Sequence, residues 1–152
     1  YTQGVQNFRG LEKLRKVDGN ITIAYNEGLV DFTGFLSLNE VVGDLFVDGN
    51  ESLRSLEGLP KLENVSGNLW INNVSISNLR GLEVLKEAGQ INLTNNPSLT
   101  SFRGIEGLLS LGYLNLNNNP KLCGLATFTT HDGKTLEELS MGGVDEQNNC
   151  ID

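Results

Sequence analysis

Positive charge, aromatic residues and long apolar runs are all scarce in this sequence. Eleven Lys and Arg residues stand against 19 Asp and Glu residues, which gives a formal net charge of −8. Because such a chain repels phosphate groups, we expect neither nucleic acid nor an anionic membrane surface as a partner. The apolar runs are shorter than the roughly 18 residues that a membrane-spanning helix needs, so we expect no direct membrane insertion.

Residues that carry catalysis or bind metals are equally sparse. The single histidine, His131, has no cysteine or carboxylate motif beside it, and no phosphate-binding loop or metal-ligand spacing occurs. We therefore expect no enzyme activity, no cofactor and no metal site. The chain begins at Tyr1 with neither a methionine nor a signal peptide, which is typical of a processed product or an excised fragment of a longer chain.

Glycine, by contrast, is abundant and recurs in a regular pattern. One column of glycines opens segments of the form Gly-x-Φ-x-Φ, where Φ is apolar, at steps of 24, 24, 22 and 23 residues. Its members are Gly19–Ile23, Gly43–Val47, Gly67–Ile71, Gly89–Leu93 and Gly112–Leu116. The second column consists of Gly10, Gly34, Gly58, Gly81 and Gly104. Repeats of this length are typical of solenoids, whose units bury their apolar faces only against one another.

Two periods alternate within each unit. The Gly-x-Φ-x-Φ segment has period 2, which indicates a short strand with one buried face. The remainder has a period of about 3, which predicts a chain that turns corners and sends one apolar residue inward from each short segment; one example is Leu53, Leu56, Leu59, Leu62 and Val65. We predict a right-handed β-solenoid of about five coils of 22–24 residues, with the repeats in residues 1–122 and a C-terminal cap of the same domain in residues 123–152.

Asparagines form a third column in the repeat. Asn26, Asn50, Asn96 and Asn119 each follow their repeat glycine by seven residues, and Asn73 follows its own by six in the shortened unit. We expect a ladder of inward side chains that bond the backbone of neighbouring coils at one corner. Ordinary solvated turn asparagines are the alternative.

The segments Gly43–Val47, Glu51–Leu62 and Asn118–Cys123 together resemble the receptor L-domain family, the leucine-rich-repeat-like solenoids of insulin-receptor and epidermal-growth-factor-receptor ectodomains. The resemblance covers roughly residues 8–125. It implies an extracellular module that binds protein ligands through a strand face. The sequence has no N-terminal cysteine cap, cysteine-rich module or kinase, so we do not expect a receptor tyrosine kinase.

Both cysteines, Cys123 and Cys150, lie at the C-terminal end, where an open solenoid needs its last coil covered. We predict a disulfide that staples the cap; two buried thiols in a cytosolic protein are the alternative. Between the cysteines, residues 132–139 could form a short capping helix. A disulfide would place the protein in an oxidising, extracellular compartment, either secreted or on the cell surface.

Five Asn-x-Ser/Thr sequons are a mild enrichment over chance; they begin at Asn20, Asn50, Asn64, Asn73 and Asn92. Asn50 and Asn73 belong to the expected inward ladder, so we expect them to be poor glycan acceptors. Asn64 is expected on a loop and is the preferred glycosylation site, with Asn20 and Asn92 as further candidates. A glycan on Asn92 would crowd the strand face, so we expect that sequon to be empty or peripheral.

The alternation within the strand segments predicts an outward face. Residues between the inward apolar pairs form an outward row of Thr22, Phe46, Trp70, Asn92 and Asn115. We expect Phe46 and Trp70 to be neighbours and to bind a ligand, within a polar rim of Asp44, Asp48, Asn68 and Asn72 and with Tyr113 in a flanking row. An exposed aromatic pair in a polar rim is typical of a binding hot spot. Cross-strand packing, or coverage by a missing neighbouring domain, are the alternatives.

We therefore expect an extracellular recognition module that binds a protein ligand, or a neighbouring domain of a larger chain, through this face. The alternative is a structural or adhesive unit of a cell-surface, cell-wall or filament assembly. Carbohydrate binding is a weaker alternative.

Overall fold

The computed structural model describes residues 4–145 and 147–150. The chain forms a parallel β-solenoid of about four turns, in which the strands join one eight-stranded sheet. The strands are β1 (Lys16–Val17), β2 (Ile21–Ala24), β3 (Glu40–Val41), β4 (Leu45–Asp48), β5 (Asn64–Asn72), β6 (Glu87–Thr94), β7 (Ser110–Asn115) and β8 (Val144–Asp145). A short helix, α1 (Leu136–Leu139), precedes β8.

Each turn contributes a short and a longer strand segment, which meet at the repeat glycine. β1 to β4 hold these segments as separate strands, whereas β5, β6 and β7 run through the corner. In the longer segments Leu45 pairs with Leu69, so equivalent positions of consecutive repeats lie side by side. A Cβ on Gly67 would lie only 2.8 Å from the backbone of Gly43. The first glycine column therefore marks a corner where consecutive turns approach too closely for a side chain.

The second glycine column lies at another corner of the turn. Its members from Gly34 to Gly104 have φ between 109° and 122°. A Cβ on any of them would lie 2.0–2.2 Å from backbone atoms of the preceding turn. Both the backbone conformation and the close contact therefore require glycine at this corner.

Consecutive tight turns, rather than a helix, produce the apolar period of three. The N–H of Leu99 donates to the carbonyl of Asn96, and the N–H of Leu108 donates to the carbonyl of Ile105. Each turn sends its apolar residue into one continuous core. In one unit the buried residues, all at most 2 % exposed, are Leu53, Leu56, Leu59, Leu62 and Val65.

Asparagine side chains connect consecutive turns at a third corner. Asn96 Oδ1 accepts from the N–H of Val74 (3.1 Å), and Asn96 Nδ2 donates to the carbonyl of Ile71 (2.8 Å). These bonds satisfy backbone groups that the corner would otherwise leave unpaired in the interior. The same position of other turns is occupied by Asn26, Asn50 and Asn119.

Asn73 does not belong to this ladder, so its assignment is corrected. Val74 occupies the ladder position, seven residues after Gly67, and Asn73 is the exposed residue before it. The unit that begins at Gly67 has 22 residues instead of 24, and the two missing residues lie after this corner, because Val74 keeps the seven-residue spacing. With φ of 53°, Asn73 instead joins a left-handed column that precedes each ladder position; its other members are Tyr25, Gly49, Asn95, Asn118 and Asn148.

Beyond Cys123 the chain leaves the stack and forms the helix α1. The helix is shorter than the segment 132–139 that the sequence suggests, because it begins only after Thr135. The Thr135 side chain accepts from the N–H of Glu138, and the Glu138 side chain accepts from the N–H of Thr135, so the two residues form a capping box. Leu136 and Leu139 of this helix are buried against the core.

The chain then returns to the sheet and adds a further layer. The N–H of Gly142 donates to the carbonyl of Gly112 (2.6 Å), and β8 pairs with β7. Asn149 Oδ1 accepts from the N–H of Asn119 (2.9 Å), so Asn149 extends the asparagine ladder. Gly142 and Asn149 keep the seven-residue spacing of the earlier units. This repeat is hidden in the sequence because 30 residues, instead of 22–24, separate Gly142 from the preceding repeat glycine.

A disulfide joins the two ends of this C-terminal segment. Cys123 and Cys150 are bonded with their Cα atoms 5.0 Å apart, as the sequence predicted. The N–H of Cys150 also donates to the carbonyl of Leu122. The disulfide indicates an oxidising, extracellular setting. Across residues 4–145 and 147–150, the chain forms no helix with the length and apolarity needed to cross a bilayer.

Candidate functional site

The longer strand segments place one row of side chains on the outside of the sheet. On β5, Leu69 and Ile71 are buried in the core, so Trp70 between them points to the opposite side. The same alternation on β4 places Phe46 on that side. The strands align these positions in one row of Thr22, Phe46, Trp70, Asn92 and Asn115. We call this row, with the two flanking rows described below, the outer face.

Phe46 and Trp70 lie side by side at the centre of the outer face. They are direct register partners on β4 and β5, with ring centroids 6.3 Å apart and ring planes inclined by 53°. Both side chains are half-buried, so each keeps part of its ring accessible. Inclined rings at this distance pack favourably on each other and also offer a ligand two apolar surfaces at an angle.

One flanking row consists of polar side chains bonded from turn to turn. Asn20 Oδ1 accepts from the N–H of Asp44 (2.8 Å), and Asp44 Oδ1 accepts from the N–H of Asn68 (2.7 Å). Asn68 Nδ2 also donates to Asp44 Oδ1 (3.1 Å). This row begins each strand segment directly after the repeat glycine. The bonds hold the three side chains in place beside the aromatic pair, so the rim is preorganised.

The row ends in Gln90 and Tyr113, which pair in register on β6 and β7. Tyr113 is half-buried. A Cβ on Gly142 would lie 3.3 Å from its ring, so Tyr113 lies over the return of the chain to the sheet. Tyr113 is therefore on the outer face but three strands from Phe46, and it does not join the aromatic pair.

The opposite flanking row lies five residues after each repeat glycine and consists of Ala24, Asp48, Asn72, Thr94 and Asn117. Asp48 and Asn72 are register partners at its centre. Asn72 is only 8 % exposed, and its Oδ1 accepts from the Oγ1 of Thr94 (2.7 Å). Asp48 Oδ1 accepts from Nδ2 of Asn73 (2.7 Å). The carboxylate of Asp48 thus remains at the rim, whereas Asn72 is largely covered.

Tyr25 is a rim residue that the sequence analysis missed. It bonds Asp48, and this hydrogen bond together with the carboxylate charge raises the pKa of the Tyr25 phenol above its ordinary value. Its φ is 56° and its side chain is 76 % exposed, which is an unusual combination for a bulky residue. Its ring lies against Gly49, where a Cβ would be 2.6 Å away. The sequence would predict the left-handed conformation of Tyr25 only if Tyr25 were aligned with Gly49 and Asn73, which occupy the same position in later turns.

Asn92 lies on the outer face next to Trp70 but is only 3 % exposed. Its Nδ2 is buried and has no hydrogen-bond partner among the residues that the structure describes. An unpaired buried donor costs about 1–3 kcal/mol, so this amide is a candidate for a ligand contact. The sequence correctly places Asn92 in the outer row, but alternation alone cannot show that neighbouring side chains cover it.

The sequons differ widely in their accessibility. Asn50 is fully buried and Asn92 nearly so, whereas Asn20 and Asn73 are exposed. Asn64 is not on a loop as expected: it begins β5, where it is half-buried between Glu40 and Glu87. The preferred glycosylation site is therefore corrected from a loop to a strand position.

We expect Asn50 and Asn92 to remain unmodified in protein secreted from a glycosylating host, because their side chains have no room for a glycan in the folded state. Peptide mass spectrometry checks this, with Asn20→Gln and Asn73→Gln as controls for occupancy at the exposed sequons. A glycan on Asn92 in correctly folded protein would contradict the burial of this side chain.

In the part of the chain that the structure describes, no three His, Cys, Asp or Glu side chains lie close enough together to bind a metal ion. Comparisons with protein families, curated proteins and solved structures found no match to this chain. The function of the outer face therefore has to be argued from its own geometry.

Proposed function

We propose that this protein is an extracellular recognition module that binds a ligand through the outer face. The alignment of Phe46 and Trp70 is the observation that carries this proposal. Large aromatic side chains that keep accessible ring area inside a polar rim are typical of the centres of binding sites. The rim supports the proposal because Asn20, Asp44 and Asn68 are held in place before any ligand arrives.

We also propose that the solenoid is right-handed, of about five coils, and of the receptor L-domain type. The Gly-x-Φ-x-Φ segments and the closing segment Asn118–Cys123 support this assignment. An extracellular location fits the disulfide. On this proposal the ligand is a protein or a neighbouring domain, or a glycan at the cell surface.

A structural role in a larger assembly is a second candidate, and one observation favours it. β2 is an edge strand that pairs only with β4 among the described residues, so it can accept a further strand. An assembly unit would show a molar mass that rises with concentration in light scattering. A recognition module would remain a monomer.

The recognition proposal predicts a specific effect of removing the aromatic pair. We expect Trp70→Ala and Phe46→Ala each to weaken ligand binding by about 2 kcal/mol, because each removes accessible ring area at the centre of the site. We expect the free energy of unfolding to fall by less than about 1.5 kcal/mol, since both rings lie outside the core. Binding of the labelled protein to intact cells and extracellular matrix of the source organism, together with urea unfolding, measures both effects.

Leu109→Ala is the matched control, because Leu109 is an exposed apolar residue that precedes β7 and belongs to none of the three rows of the outer face. It should leave binding unchanged. If Trp70→Ala lowers stability strongly and leaves binding intact, the pair serves only cross-strand packing and the proposal fails.

A further inference from the structure

The outer face contains no lysine or arginine in any of its three rows. Its charged members are the carboxylates of Asp44 and Asp48 at the centre and of Asp145 on β8, which pairs with Asn115, so an anionic ligand would be repelled. Most of the remaining polar side chains are amides, which both donate and accept hydrogen bonds. These amides are Asn20, Asn68, Asn72, Gln90, Asn92, Asn115 and Asn117.

These carboxylates are already engaged by donors of the protein, and Asp145 Oδ2 accepts from Asn117 Nδ2 (3.1 Å). Asp44 Oδ1 accepts from both the N–H and the Nδ2 of Asn68. Asp48 Oδ1 accepts from Asn73 Nδ2, and Asp48 also bonds Tyr25. Because these donors already hydrogen-bond the carboxylate oxygens, the face does not require a cationic group on its ligand. A neutral ligand with many hydroxyl groups suits it better than a basic peptide.

The aromatic pair suits the apolar side of such a ligand. Sugar rings carry C–H groups on their faces and hydroxyl groups around their edges. The inclined rings of Phe46 and Trp70 offer two apolar surfaces to those faces, and the polar side chains beside them, Asn68 on one side and Asp48 on the other, can bond the edges. Since the rows run across several strands, the face can contact more than one ring of a chain.

Asn92 supplies an independent observation that points to a ligand. It follows Trp70 in the central row, and its buried Nδ2 donates to no oxygen in the described part of the chain. A hydroxyl oxygen bound beside Trp70 would accept this hydrogen bond once the Asn92 amide turns toward the surface. The donor that the protein leaves unpaired would then be paired in the complex.

We propose that the outer face binds a neutral oligosaccharide, stacked on Phe46 and Trp70 and hydrogen-bonded by Asn92 and the rim amides. This inference rests on the proposed function, because it identifies the ligand class of the same face.

Isothermal titration with cellohexaose, chitohexaose, laminarihexaose and mannohexaose tests the proposal, with hexalysine as a cationic comparison. We expect at least one saccharide to bind the whole protein with a Kd below about 1 mM, with little change as NaCl increases. Trp70→Ala should weaken that binding at least about tenfold. Asn92→Leu, which is nearly isosteric, should weaken it about fivefold or more while raising the melting temperature, because it removes an unpaired buried donor.

The melting temperature separates a ligand contact from a structural role for Asn92. A lower melting temperature for Asn92→Leu would mean that its amide is bonded in the native fold, which would overturn its role here. Failure of all four saccharides to bind would overturn the ligand class. If hexalysine then binds, is displaced by salt and depends on Trp70, the recognition face stands with a cationic ligand. Equal binding of the saccharide to Trp70→Ala would show that it binds elsewhere and would overturn the outer face as its site; Leu109→Ala is the control for this comparison.

Discussion

Replacing Gly104 by alanine is expected to lower the free energy of unfolding by at least about 3 kcal/mol. Gly104 has φ of 115°, a conformation that L-residues rarely adopt. Its Cβ would lie 2.1 Å from the carbonyl oxygen of Leu79 and 2.5 Å from the backbone nitrogen of Arg80. These are backbone atoms of the preceding turn, so they cannot move aside without separating the turns. Urea unfolding monitored by circular dichroism measures the loss.

Gly10→Ala is the matched control for this prediction. Gly10 belongs to the same column and has φ of 102°, but no atom of residues 4–145 or 147–150 lies within 4 Å of its Cβ position. Its substitution adds backbone strain without a collision and should cost only about 1–2 kcal/mol. The difference between the two variants isolates the contact between turns. Equal losses would show that the column reflects backbone conformation alone.

The second large effect is expected on removal of the disulfide. The bond between Cys123 and Cys150 spans 27 residues of sequence. Opening a loop of this length should cost about 3–4 kcal/mol on the chain-entropy estimate. We expect a double variant, Cys123→Ser with Cys150→Ser, to lose this stability in urea unfolding. The N–H of Gly142 donates to the carbonyl of Gly112 in the last layer of the sheet, next to β8. Its hydrogen exchange should accelerate as this layer loosens.

The sequence contains two cysteines, so a reductant can act only on this disulfide, and the double variant serves as the control for the reductant. Dithiothreitol should lower the stability of the wild type to that of the double variant and should leave the double variant unchanged. A loss below about 1 kcal/mol would show that β8 pairing and the Asn149 contact hold this layer without the disulfide.

Much of the fold could be predicted because its periodicities are local. Glycine recurs where consecutive turns touch, and each tight turn places one apolar residue inward, so the columns are visible without any structure. The seven-residue interval from repeat glycine to asparagine also predicted the positions of Asn96 and Asn119. The disulfide followed from the position of both cysteines at one end.

Asn73 and the return of the chain could not be placed as easily. A shortened unit shows that residues are missing but not at which corner, so Asn73 was aligned with the ladder in place of Val74. The pair Gly142 and Asn149 carries the repeat spacing, but the long excursion before it hides the period. Neither error changed the fold class, because the remaining turns determine the stack.

The outer face shows the same division at the level of single side chains. Alternation along each strand was enough to place Phe46 and Trp70 in one row, since side-chain direction follows from the backbone of that strand. It could not show that Asn92 is covered while its neighbours in the row remain accessible. It also gave no sign that Tyr25 would reach Asp48 from the adjacent turn.

The amino-acid sequence by itself determined that this chain winds into stacked turns and which side chains face outward, because both properties depend on spacing within one unit. The tertiary structure decided which outward side chains stay accessible, which polar groups find partners, and how the chain closes its last layer. These properties depend on residues brought together from turns 22–24 positions apart. Contacts between turns, and not the pattern within one turn, therefore shape the candidate site.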